Sequence, residues 1–436
     1  MVTAHTSISV LSDAPSQRAE NAVVILAVIL VLGGGVVLTE LGGVALPIHT
    51  TAIPTLSYVW GPLLLLTALS RTLATGPPQS VRVYARDAVL GGCLALWIIL
   101  EVFTISTGSS PKLNLIYSYA WVLFFIAFFR VFGVVPTNRP EMQTLVHYIA
   151  LCGALLSFIL ITVTFIKLQS GQAPNYCELN GEWPVFSYLS SNCVYSHEFK
   201  NTFSYAAAFS AVCSLWLALI CRGARRTLGT LCLVLCTFAI ALNKSRGAWL
   251  ALLLCAMFLV SWFARRRLTR TTILWAASGC VVAIATLAVV APRSFELALT
   301  LGRGASPQLE NELRGRADTR QGSVSMRLEM VASGLKSFVQ APVFGQGLLK
   351  TEKIKVSGHS LHGLWLVSLS SYGLLGMVPL FALLMPRWGR NEDPDTVALK
   401  LTILLLACVV TFAATDPPFW FALAFLLLSA AEARSD

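Results

Sequence analysis

Apolar runs long enough to cross a bilayer recur along almost the whole chain, and short arginine-bearing loops separate many of them. A helix needs about 20 apolar residues to span the hydrocarbon core. Runs near that length fall at 21–39, 52–70, 88–106, 116–135, 147–167, 202–221, 227–242, 246–263, 272–291, 361–385, 398–414 and 418–431. They are unbroken rather than alternating, which disfavours a membrane barrel, whose strands alternate over about 10 residues. The expected fold is all-α: a polytopic membrane protein with about 12 transmembrane helices. Composition agrees, because 12 % of the residues are charged where a soluble domain carries about a quarter.

The arginines orient the chain. Arg71, Arg82 and Arg86, then Arg130 and Arg139, then Arg222, Arg225 and Arg226, then Arg265, Arg266, Arg267 and Arg270, then Arg387 and Arg390, all fall on one side of such a bundle. The positive-inside rule makes that side cytoplasmic, with both termini. The organisation that follows is a tail over 1–20 and spans one to nine over 21–291, with an outward loop at 168–201. A large outward loop with short helices covers 292–360, spans ten to twelve lie within 361–431, and 432–436 form a second tail. The run at 21–39 lacks a small-x-small cleavage site and reads as a retained span rather than a signal peptide. The formal charge of +11 then reports orientation and contact with membrane lipids, not nucleic acid. Most of the cysteines sit inside runs, where they behave as small apolar residues. Cys177 and Cys193 instead share the loop at 168–201, where a periplasmic setting permits a bracing disulfide.

Three stretches place polar groups at the outward ends of the runs. In ALNKSRGAWLALLL (241–254), Lys244 and Arg246 stand at the outer mouth of the seventh and eighth runs. An arginine at a span centre costs about 2.5–3.5 kcal/mol on insertion scales, and less at the mouth. The N–H groups that open the eighth run favour an anion there, and Gly247 lets one approach the backbone. SVSMRLEMVASGLKSFVQAPVFGQGLLK (323–350) reads as a short amphipathic helix on the outer membrane–water boundary. Met326, Met330, Leu335 and Phe338 form its apolar side, Arg327 flanks it, Pro342 ends it, and FGQG supplies a flexible turn. In GHSLHGLWLVSLSSYGLLG (358–376), His359 and His362 are neighbours on one helical face. Without a nearby Asp, Glu or Cys they are a poor zinc set, and no G-x-S-x-G elbow accompanies them.

Taken singly, each feature has an ordinary reading. An arginine at a mouth snorkels to lipid phosphate, and a histidine caps a helix or meets headgroups. Taken together, they describe an outward-facing site with several arginines, few carboxylates and a histidine. Guanidinium groups suit bidentate contact with phosphate. A neutral imidazole suits proton removal from a hydroxyl. Such a set fits attack by an alcohol on a lipid diphosphate-linked group, with arginines in place of a metal. Arg314, Arg316 and Arg320 are spaced to suit an anionic partner, as a solvated loop tip would also be.

In these pieces the chain resembles the bacterial O-antigen ligase and O-antigen polymerase superfamily. SRGAWLAL (245–252) resembles the family's Ser-Arg-Gly before an apolar helix and puts Arg246 at its arginine. SMRLEMVASGLKSFVQAPVFGQG (325–347) resembles an arginine, a helix and Pro-x-x-Gly-x-Gly, matching Arg327, Gly345 and Gly347. HGLWLVSLSSYGLLG (362–376) resembles His-Asn-x-x-Leu followed by Gly-Leu-x-Gly, and that register selects His362 over His359. Gly363 departs from it, standing where the family often has asparagine.

The resemblance implies a metal-independent, inverting glycosyl transfer without cofactors, at the periplasmic face of the bacterial inner membrane. The donor is a glycan on undecaprenyl diphosphate. Arg246 and Arg327 stabilise the leaving diphosphate, with Lys244, Arg314, Arg316, Arg320 and His359 as further binding residues, and His362 orients or deprotonates the acceptor hydroxyl. The acceptor is lipid A–core in a ligase and another lipid-linked repeat unit in a polymerase. A lipid-glycan transporter would share the twelve-span layout. Against coupled transport, the inner halves of the spans look nearly free of charge: Glu101 and Lys167 lie toward span ends, and Glu40 and Asp416 lie in loops.

Overall fold

The computed structural model describes residues 139–170, 197–267, 329–356, 359–361, 363–386, 388 and 392–413. The runs expected at 21–39, 52–70, 88–106, 116–135, 272–291 and 418–431 lie outside the described residues, as do Cys177 and Cys193. The described part is almost wholly helical. Its first four helices are α1 (Arg139–Gln169), α2 (His197–Ile220), α3 (Ala224–Asn243) and α4 (Arg246–Arg267). Helix α5 covers 329–340, and α6 covers Leu348–Lys353. A two-residue antiparallel ladder joins β1 (Lys355–Val356) to β2 (His359–Ser360). Helices α7 (Leu364–Leu384) and α8 (Pro394–Ala413) follow.

Five helices (α1, α2, α3, α4 and α8) are long and apolar enough to cross a membrane. The run at 227–242, short for a span by itself, is a full helix because α3 begins at Ala224 and takes Arg225 and Arg226 into its first turn. Cations there oppose the helix dipole at a cost of about 0.3–1 kcal/mol each. Both side chains are at least partly exposed, so water and headgroups screen them.

Helix α2 is the centre of the bundle, with α1, α3, α4 and α8 packed around it. Its run of Ala206, Ala207, Ala208, Ser210, Ala211 and Ser214 explains why. Lipid supplies no hydrophobic drive between helices, so small residues that let backbones approach decide who packs with whom. Gly229 of α3 meets α2 so closely that a Cβ would stand 3.1 Å from the Ser214 carbonyl oxygen and from the Ala218 nitrogen. Gly153 of α1 crosses α2 at Ser210 in the same manner.

Helix α8 is tied to this centre by the indole of Trp216, which donates to the Asp395 carbonyl at 2.7 Å. Asp393 accepts the first-turn N–H groups of Thr396 and Val397, both at 3.0 Å. Pro394 takes the first helical position, where its missing N–H is harmless. Lys400 corrects the expectation that span interiors are nearly uncharged. It lies within the run at 398–414, is fully buried, and is ion-paired with the buried carboxylate of Glu392.

Helix α7 is broken in the middle. Gly373 adopts φ 60°, ψ −152°, and two helical halves meet across it. The break frees backbone groups, and the Pro342–Gly347 turn supplies their partners. Leu374 N–H donates to the Pro342 carbonyl at 2.9 Å and Leu375 N–H to Val343 at 3.2 Å. In return, Gln346 and Gly347 N–H donate to the carbonyls of Ser370 and Ser371, each at 2.9 Å. Four backbone bonds therefore pin a segment expected to be a flexible turn. Gly345 is needed because a Cβ at its φ of +70° would overlap the Ser371 carbonyl.

Helix α5 also packs differently from expectation. Its inward face is Met330, Gly334 and Ser337, while Leu335 is 46 % exposed. Gly334 presses on Leu366 of α7, and its carbonyl accepts from the Ser370 hydroxyl at 3.0 Å.

Candidate functional site

The connection between α3 and α4 is two residues long. Lys244 turns the chain in a left-handed conformation (φ 53°, ψ 34°), with its N–H donating to the Ala241 carbonyl. Ser245, almost fully buried, accepts the first helical bond of α4 from Trp249 N–H at 3.1 Å. Arg246 is therefore the first residue of α4, and the N–H groups of that turn face whatever stands before it. Gly247 follows for a steric reason. A Cβ there would lie 2.5 Å from the hydroxyl oxygen of Tyr205, a buried residue of α2. Tyr205 thus underlies the turn that carries Arg246. It sits in an apolar run far upstream, so no local pattern pointed to it.

The α7 end is built separately. Met330, Val356, Leu361, Leu366 and Val367 form a small core that joins α5, the ladder and the head of α7. His359 lies in β2, its backbone paired opposite Val356. Leu361 is buried, and Gly363 precedes α7 at φ 98°, ψ 124°. That backbone conformation is open to glycine and strained for asparagine, so the departure from the family pattern at 363 is one of backbone as well as side chain. His362, Arg327, Arg314, Arg316 and Arg320 lie outside the described residues.

The two ends meet at one level of the bundle. Cys255 of α4 contacts the Thr402 carbonyl of α8 at 3.5 Å, and the Trp365 indole at the head of α7 donates to the Thr411 hydroxyl at 2.6 Å. Equal lengths of helix, about 13–14 Å at 1.5 Å per residue, separate Cys255 from Arg246 and Thr402 from Thr411. Gly247 meets Tyr205 toward one end of α2, and Asp395 meets Trp216 toward the other, so α4 and α8 run antiparallel and the starts of α4 and α7 stand at the same end. The structure therefore brings the Lys244–Gly247 turn to the level of the residues that flank His362, with α8 bridging them.

Residues 231–381 match the family described as O-antigen ligase. The chain carries an O-antigen ligase domain. No curated protein and no solved structure gives a significant match. The ligase domain runs from α3 through α7 and contains Arg246, Arg327, His359, His362 and the whole Pro342–Gly347 lock. Tyr205 and Thr411 fall outside it, so flanking helices brace the start of α4 at Gly247 and the head of α7 at Trp365. With five helices in its described part long and apolar enough to cross a membrane, this is a multi-pass membrane protein, and its residues 231–381 match the O-antigen ligase family.

Proposed function

We propose that the protein is an O-antigen ligase, which transfers a glycan from undecaprenyl diphosphate to a sugar hydroxyl of lipid A–core at the periplasmic face of the inner membrane. The observation that carries this is the O-antigen ligase match over 231–381, which takes in all three motifs in order. The common level of the α4 and α7 starts supports it, because donor diphosphate and acceptor hydroxyl must meet at one place.

In this reading the acceptor oxygen attacks the anomeric carbon from the face opposite the diphosphate. The new glycosidic bond forms as the bond to the diphosphate oxygen breaks, which inverts the centre. His362 takes the hydroxyl proton, and undecaprenyl diphosphate departs with the electron pair. Arg246 and Arg327 stabilise the negative charge that grows on it, a role in which loss of one donor costs about 2.7–4 kcal/mol, or roughly 100- to 1000-fold in rate. Lys244, Arg314, Arg316, Arg320 and His359 bind the anionic part of the donor, and no metal takes part.

Purified protein in detergent, given a lipid-diphosphate glycan and lipid A–core, is expected to form the ligated product in excess chelator. Arg246→Ala, Arg327→Ala and His362→Ala are each expected to abolish transfer, and His359→Ala to reduce it less. A deletion strain separates the two acceptors. Loss of a ligase leaves polymerised glycan on its lipid carrier. Single repeats on the core would instead mark a polymerase and overturn the proposal. Lys400 does not favour the transporter reading, because its charge is closed by Glu392 within the fold.

A further inference from the structure

The turn that carries Arg246 is not held by its own sequence. Lys244 takes a left-handed conformation at φ 53°, the one non-glycine residue to do so among the described residues. Such a conformation costs about 1–2 kcal/mol without glycine, so contacts from elsewhere keep the chain in it. Three residues on, Gly247 lies against Tyr205 of α2. A Cβ at 247 would stand 2.5 Å from the Tyr205 hydroxyl oxygen but 3.4 Å and 3.5 Å from the Cζ and Cε1 atoms of its ring. The hydroxyl oxygen, rather than the ring, therefore fixes how closely the first turn of α4 approaches α2. Tyr205 is 3 % exposed and shares a core with Phe209, Ala248 and Ala251, all fully buried. Close-packed surroundings of that kind leave little room for the side chain to swing aside. A phenylalanine would bury the same ring without the cost of desolvating a hydroxyl, so burial alone does not account for the oxygen.

We propose that Tyr205 is a positioning residue for the donor. Its hydroxyl oxygen is a spacer that sets the height of the Arg246–Gly247 turn over α2, and so places Arg246 and the first N–H groups of α4 at the lipid diphosphate. The inference rests on the donor role proposed above for Arg246. A spacer has a reciprocal consequence. Tyr205→Phe removes the oxygen and lets the turn sink toward α2. Gly247→Ala adds a methyl that the oxygen pushes away, which lifts the turn. In the double variant the methyl meets the ring carbon at 3.4 Å, an ordinary contact, and takes the place of the oxygen. Either single change misplaces Arg246, and the pair restores it.

The test measures binding of undecaprenyl diphosphate, without glycan, to the full chain in detergent, so the outcome does not depend on the acceptor. Affinity is expected to fall about tenfold in Tyr205→Phe and in Gly247→Ala, since a misplacement of about 1 Å can cost about 100-fold. In the double variant it should return to within about threefold of wild type, because residues in contact do not act additively. In an Arg246→Ala background, Tyr205→Phe should weaken binding no further, whereas a general loosening of the bundle would weaken it again. Three results would each overturn the proposal: Tyr205→Phe binding like wild type, the double variant showing the two losses multiplied, or the Tyr205→Phe loss persisting in full beside Arg246→Ala. If one single variant does not fold, the other single and the double variant still decide. Failure of the donor reading looks different: wild type itself would not bind the probe, and the inference would fall with it.

Discussion

Gly373→Ala should be among the most damaging single-methyl changes in this protein, and the structure provides its own control. Gly373 (φ 60°, ψ −152°) and Gly223 (φ 59°, ψ −142°) share nearly the same backbone conformation. A side chain in that region costs about 1–3 kcal/mol through strain. At Gly223 that is the whole cost, since a Cβ there meets nothing within 4 Å. At Gly373 the new Cβ would lie 2.5 Å from the Val343 carbonyl oxygen and 2.6 Å from that of Pro342. Those oxygens accept the N–H groups of Leu375 and Leu374. Pushing them away breaks two backbone hydrogen bonds, at about 0.5–1.5 kcal/mol each. Gly373→Ala should therefore exceed Gly223→Ala by roughly 1–3 kcal/mol. Unfolding of the two variants by SDS titration in mixed micelles reads the difference directly. Gly345→Ala attacks the other side of the same lock, so the double variant with Gly373→Ala should cost less than the sum of the singles. If Gly373→Ala and Gly223→Ala destabilise equally, the turn does not brace the break in α7 and the reasoning fails.

Three further outcomes follow from single contacts. Gly247→Ala should lower both stability and transfer by driving a Cβ into the Tyr205 hydroxyl, and Tyr205→Phe should restore stability in that background, as thermal melts of the four proteins of the cycle would show. Lys244→Gly should remove about 1–2 kcal/mol of left-handed strain. It should therefore raise the melting temperature while lowering transfer, and unchanged transfer would remove the ammonium from donor binding. Glu392→Gln leaves Lys400 buried without its carboxylate and should cost about 3–5 kcal/mol. Lys400→Met added to it should recover much of that loss, measured by the same SDS titration.

Much of the helix inventory was legible because the hydrocarbon core leaves apolar sequence few choices. Runs at 202–221, 246–263 and 398–414 correspond to α2, α4 and α8 because a buried backbone must close its own hydrogen bonds. Boundaries such as Ala224 were missed because arginines mark loops and helix ends alike. Met330 and Leu335 share the apolar side that periodicity finds, yet Met330 is buried and Leu335 exposed, because spacing does not say which apolar residues the fold covers. Lys400 is not legible as a buried charge because its partner Glu392 stands eight residues upstream, before the apolar run begins.

The order of the motifs, and with them the ligase-type domain, was written in the sequence. Short spacings around glycine, proline and the Ser-Arg-Gly turn are local constraints that a linear reading detects. The relation between those motifs belongs to the tertiary structure. Pro-x-x-Gly-x-Gly and the glycine at 373 are two halves of one backbone lock. Tyr205 and Thr411, from helices outside the matched domain, brace the turns before α4 and α7. These contacts join residues far apart in the chain, through hydrogen bonds and close approaches that leave no periodic trace. Only the folded bundle decides which of them meet.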